Sequence, residues 1–195
     1  MVAMHEADYG VGAALTGIDR ELDSVVAHLA RFETAALSSV AAAIAEAPRV
    51  FVLGAGRSGL ALRMTAMRLM HLGLDAHLVG DATAPAIAPG DLLLTASGSG
   101  TTGTIVRAAQ TAATIGARIA AITTAAGSPL AELADSVVVV PAADKLDRSG
   151  AASTQYAASL FEQTVMLIGD ALFHALWKHS GSDPEELWRR HANLE

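Results

Sequence analysis

From residue 49 onward, short apolar runs alternate with segments of helical spacing, and that alternation leaves the chain few folds. The runs "RVFVLG" (49–54), "DAHLVG" (75–80), "LLL" (92–94), "ARIAAIT" (117–123) and "SVVVVP" (136–141) read as strands. Helical spacing covers about 58–72, the stretch to about 115, 129–134, and a long late segment over about 153–178. Strands of this continuous apolar kind belong in a parallel sheet with helices on both faces. With right-handed crossovers they predict an α/β fold: a five-stranded parallel sheet in the flavodoxin-like order 2-1-3-4-5. In that order the chain reverses direction between strands 1 and 3, which opens a crevice at their carboxyl ends.

Both strands that border this crevice run into glycine-rich turns. Strand 1 ends in "GAGRSG" (54–59) and strand 3 leads into "SGSGTT" (97–102). Such turns gather backbone N–H groups at a helix N-terminus, where anions are favoured. The hydroxyls of Ser97, Ser99, Thr101 and Thr102 add donors. A phosphate group fits these features. The first turn also matches the G-x-G-x-x-G dinucleotide fingerprint, but Asp81, the acid at the end of strand 2, lies 27 positions beyond Gly54 instead of about twenty. Simple tight turns without a ligand remain the bland alternative.

The 195 residues suit one domain. Residues 11–46 lack proline and space Leu22, Val25, Val26, Leu29 and Phe32 as helices do, so residues 1–48 are expected to pack as a helical segment on a domain of 49–195. The start, 1–10, reads as loose and 142–152 as a polar loop. With no cysteine, thiol chemistry and disulfides are excluded. The net charge of −7 argues against a nucleic-acid partner, and means that an anion must be held by local dipoles and hydroxyls. The first thirty residues show no signal-peptide pattern, and Leu160–Trp177 contains Glu162, Gln163, Asp170 and His174, which suits a buried helix rather than a membrane span. A cytoplasmic protein is expected.

In order and spacing, "GAGRSG", "AMRLMHLG", "TAPAI", "GDLLLTASGSGTT", "SPLAELAD" and "SLFEQ" resemble the sugar isomerase (SIS) domain family. Within it they and the terminal "RHANLE" are similar to the 6-phospho-3-hexuloisomerase branch. The resemblance covers about residue 49 to the end. It implies a homotetramer, no metal, a sugar-phosphate substrate, and interconversion of 3-hexulose 6-phosphate with fructose 6-phosphate in the ribulose monophosphate route of formaldehyde assimilation. It places the phosphate on Ser97, Ser99, Thr101 and Thr102, and the sugar beside Gly56, Arg57 and Ser58. Other members of the fold are aldose–ketose isomerases, acting for example on arabinose 5-phosphate, or non-catalytic sugar-phosphate sensors.

Moving a carbonyl between C3 and C2 needs a base at the carbons and an acid at the oxygens, and no cofactor. Gln155, Ser159 and Glu162 fall at i, i+4 and i+7, one face of the late helix if it begins near 153. Burial of Glu162 among apolar neighbours would raise its pKa toward a useful value. Two histidines compete for the acid. His71 closes the first crossover helix, where an imidazolium suits the helix dipole. It sits about 22 Å from that helix's start, so it could act only from a neighbouring subunit. His191 lies in the tail "PEELWRRHANLE" (184–195), in which Pro184 begins a short helix and Trp188 is expected to anchor the tail on an adjacent subunit. The late helix reads as too apolar to stay exposed, so it and residues 11–46 are expected to form much of the subunit interface. His5, His28 and His77 read as surface or core residues, and His174 as an exposed partner of Asp170.

Overall fold

The computed structural model describes residues 10–143 and 153–194. The loose start expected at 1–10 lies, Gly10 apart, outside the described residues, and so does the 142–152 loop apart from Ala142 and Ala143. Two helices lead, α1 (Val11–Phe32) and α2 (Thr34–Glu46). There follow β1 (Val50–Gly54), α3 (Gly56–His71), β2 (Ala76–Leu78), β3 (Leu92–Ala96), α4 (Gly103–Ile115), β4 (Arg118–Thr123), α5 (Pro129–Leu133) and β5 (Ser136–Val139). The chain closes with α6 (Ser159–Ser180) and α7 (Pro184–Trp188). All strands pair in parallel, in the expected order β2-β1-β3-β4-β5.

Alternation along each strand divides the apolar residues between two cores. Val50, Val52, Leu92, Leu94, Ala120 and Ile122 join the core built with α1, α2, α3 and α6. Phe51, Leu93, Ile119 and Ala121 face the other way, onto Ile105 and Ala109 of α4 and Leu130 of α5. The second face is the thinner one. Where a helix would complete a doubly wound unit, residues 79–91 form an irregular crossover, and a cavity of about 400 Å³ remains between Phe51, Leu93, Ile87 and Ala108. The base of the sheet is locked by Arg49, whose guanidinium forks onto the buried Asp91 carboxylate at 2.7 and 3.2 Å.

Two close approaches position the carboxyl end of the sheet. A Cβ on Gly54 would lie 2.8 Å from the backbone of Gly59, so the first turn of α3 rests directly on the end of β1. Midway along α6, Gly169 faces Thr65 of α3, whose hydroxyl a Cβ would overlap. These glycines let α3 pack tightly against both β1 and α6.

The late helix is buried as expected but departs from expectation at its start. It begins at Ser159 instead of about 153, because Ala157 adopts a left-handed φ of 51° and the three described residues before Tyr156 bond to α1. A helix does not propagate through a left-handed residue. Its apolar residues Leu160, Phe161, Val165, Ile168 and Leu172 are buried in the chain's own core, so their apolarity requires no subunit contact. Among the described residues no helix is long and apolar enough to cross a membrane.

Substitution at the two kinds of glycine should have opposite effects. Gly59→Ala drives a methyl into the Gly54 backbone and should cost about 1–3 kcal/mol, read as a lower urea midpoint. Gly17→Ala, on α1 with open space around it, should be neutral or stabilising by up to about 1 kcal/mol.

Candidate active site

The carboxyl ends of β1 and β3 and the start of α6 enclose a cleft of about 190 Å³. Gly56 and Ser58 line it from the first turn, Ser97, Ser99 and Thr102 from the second, Ala157 from the turn before α6, and Phe161 and Glu162 from α6. The 97–102 turn is tied down through its carbonyls. The Thr123 and Thr124 hydroxyls each donate to Gly98 O at 2.9 Å, and the Leu130 amide donates to Gly100 O at 3.1 Å. The Ser97 amide continues the ladder onto Ile122 O. Gly100, at φ 62°, closes the turn under Ser128, whose side chain leaves no room for a Cβ.

While the Gly98 and Gly100 carbonyls are bound in this way, several amides are left over. Those of Gly98, Ser99, Thr102 and Gly103 have no acceptor among the described residues. Their side-chain neighbours are pre-set by one another: Ser97 Oγ lies 3.0 Å from Thr102 Oγ1, and Thr101 Oγ1 donates to Ser99 Oγ at 2.9 Å. Thr101 itself is exposed beyond the lining of the cleft. N–H groups and hydroxyls at the start of α4 form a cradle for an anion. The first turns of α3 and α6 present their own positive ends to the same space.

Opposite the cradle stands Glu162. The apolar enclosure expected for it is absent: the side chain is 19% exposed, and Arg57 Nη1 lies 3.2 Å from its carboxylate. Arg57 also donates to Ser159 Oγ at 3.3 Å, so three of the sequence-selected residues meet at one point. Gln155 does not join them. It precedes α6 instead of lying on it, and its side chain bonds Glu21 and Gln163. Glu21, which sequence reasoning missed, is held by four hydrogen bonds. Burial opposes its charge, but donation from Thr154, Ser153 and Gln155 outweighs that and lowers its pKa to about 2. These bonds therefore contribute fully above the ordinary glutamate value of 4.5 and are lost as the pH falls through about 2. No local signal marks Glu21, because its partners lie more than 130 positions away.

His71 and His191, which compete on sequence grounds, form one stack. Their ring centroids are 5.1 Å apart, and Trp188 covers His191 at 4.9 Å. Arg190 Nη1 donates to His71 O at 3.2 Å. The tail thus lies against its own chain, in a groove with Arg68, Phe173 and Trp177. The groove lies at the far end of α3, about 22 Å from the cleft. Burial, then the charges of His191 and Arg68, push the His71 pKa down, opposite to the effect expected from the helix dipole. His174 contacts Trp177 edge-on, where a pairing with Asp170 was expected.

Comparison with known proteins agrees with this architecture. The SIS domain profile matches residues 43–174. The chain is 52% identical, over the full length of both, to the 3-hexulose-6-phosphate isomerase of Mycobacterium gastri. It is 40% identical to the enzyme of the same name from Bacillus subtilis, over 75% of this chain and 80% of that one. Among solved structures, a hypothetical protein from Methanococcus jannaschii, whose crystal structure was held to infer a molecular function of 3-hexulose-6-phosphate isomerase, superposes with a TM-score of 0.78 at 31% identity, covering 94% of this chain and 99% of that one. The chain belongs to the SIS domain family.

Proposed function

We propose that this protein is a ketose-phosphate isomerase that interconverts 3-hexulose 6-phosphate and fructose 6-phosphate. One observation carries the reading: the amide and hydroxyl cradle at 97–102 and the Glu162 carboxylate face each other across a single cleft. The cradle anchors the phosphate, and that anchoring orients the sugar chain toward Glu162. Glu162 removes the proton from C2 of the 3-ketose, giving a 2,3-enediol, and returns it to C3. The hydroxyl proton on O2 is lost and one is gained on O3, so the carbonyl ends at C2. Arg57 holds the carboxylate in place and offers its charge to the enediol oxygens, with Gly56, Ser58 and Ser159 beside the sugar. The full-length likeness to the Mycobacterium gastri enzyme supports this substrate. With it we adopt the ribulose monophosphate route and a cytoplasmic location.

The acid comes, in this reading, from a second subunit. Leu60, Met64, Met67 and Met70 form an exposed apolar stripe along α3, from the cleft end toward His71. A second copy laid antiparallel on this stripe buries it against itself, as an isologous contact does. It also brings the partner's His71–His191 stack to the Arg57–Glu162 end, across the length of one helix. A tetramer formed from two such pairs accords with the family resemblance.

Incubation with fructose 6-phosphate in deuterated water tests the reaction, which predicts deuterium at a carbon-bound position; binding without incorporation would mark a sensor. Glu162→Gln should lower kcat by about a hundredfold or more while KM moves little, and a variant with a tenth of normal turnover would shift the base elsewhere. Ser99→Ala should weaken competition by inorganic phosphate by about 1.5–3 kcal/mol, measured as its inhibition constant. Inactive Glu162→Gln and His191→Ala proteins, unfolded and refolded together, should recover about a quarter of wild-type activity, since half of the mixed dimers' sites escape both changes. Absence of recovery would confine each site to one chain.

A further inference from the structure

The family match begins at residue 43, yet α1 reaches the rim of the cleft from outside it. Glu21 of α1 accepts from the Thr154 amide and hydroxyl on Oε1, at 2.7 and 2.6 Å. On Oε2 it accepts from Ser153 Oγ and Gln155 Nε2, at 2.7 and 3.0 Å. No donor carries a formal charge, and only a carboxylate presents two acceptor oxygens to all four. The set continues inward, because Gln155 Oε1 accepts from Gln163 Nε2 at 2.9 Å, next in sequence to Glu162. Between these anchors the chain makes its left-handed turn at Ala157, which lines the cleft together with Ala158. A non-glycine residue in that conformation is strained and persists only where its surroundings hold it.

We propose that Glu21 is a positioning residue that fixes the turn at 155–158 and thereby aims the first turn of α6, with Ser159 and Glu162, into the cleft. The N-terminal helix is then part of the active site's construction. This rests on the isomerase reading for its catalytic consequence but not for its structural one, and the test separates the two.

Glu21→Gln replaces one acceptor oxygen by a donor facing donors. Hydrogen exchange followed by mass spectrometry should show the amides of 155–162 exchanging at least about tenfold faster, with 97–102 unchanged. In the isomerase assay kcat should fall about ten- to hundredfold, with the phosphate inhibition constant held within about twofold. Thr154→Val, which removes a single donor, should show the same pattern more weakly and serves if Glu21→Gln does not fold. Unchanged exchange at 155–162 in the folded variant overturns the proposal. So does faster exchange spread equally to 97–102, or retention of more than half of kcat. A wild-type protein without deuterium incorporation would overturn the isomerase reading alone, and the exchange pattern would still decide for or against Glu21.

Discussion

The approach of α6 to α3, set by Gly169 against Thr65, determines where the candidate base stands relative to the candidate anion cradle. The cradle belongs to the sheet, since its carbonyls are bound by β4 and the start of α5. Glu162 belongs to a helix that arrives only after the whole sheet has been built. Nothing local connects the two. A glycine in mid-helix costs about 1 kcal/mol in helix propensity, and here the missing side chain lets two helix axes come close enough for Arg57 of one to reach Ser159 and Glu162 of the other. Rigid packing of this kind holds a reacting geometry better than a loop could.

An acidic chain that binds a doubly charged phosphate faces long-range repulsion. Among the described residues no lysine lines the cleft. The positive ends of α3, α4 and α6 converge on the same space, and the amides left over at 97–103 supply the short-range donors. Such dipoles act over a few ångströms and weaken quickly with distance, so the cradle stabilises an anion that has entered while attracting little from afar. Among the described residues, Arg57 at the mouth of the cleft is already paired with Glu162, so in the proposed reading the phosphate falls to neutral donors and the cation to the reacting end.

The sheet was legible in the sequence because strand burial and crossover handedness follow from local pattern: short apolar runs, glycine-rich turns after the first and third, and helices between. The order of strands followed from those rules and no others. Gathering of Gly56, Ser58, Ser97, Ser99, Thr102 and Glu162 at one cleft was legible for the same reason, as each sits at the carboxyl end of a strand or on the one late helix. The start of α6 was not. Helical spacing continues through Gln155, but four hydrogen bonds to Glu21 outweigh propensity there and force a turn. The surroundings of Glu162 were misjudged because an arginine a hundred positions earlier supplies its partner. The tail's contact with the end of α3 was not legible either, because Arg190 bonds His71 across 119 positions.

The two ends of α3 carry different chemistry, and the helix is the spacer between them. At its start lie the turn amides and Arg57, and at its end a buried histidine stacked on a second one. Burial together with the charges of His191 and Arg68 lowers the His71 pKa. In the proposed reaction this pair supplies the acid that transfer of a carbonyl between neighbouring carbons requires. In the proposed antiparallel pair the length of α3 fixes the distance between base and acid across the subunit boundary, so the helix that builds the cleft in one chain also delivers the histidines to the other.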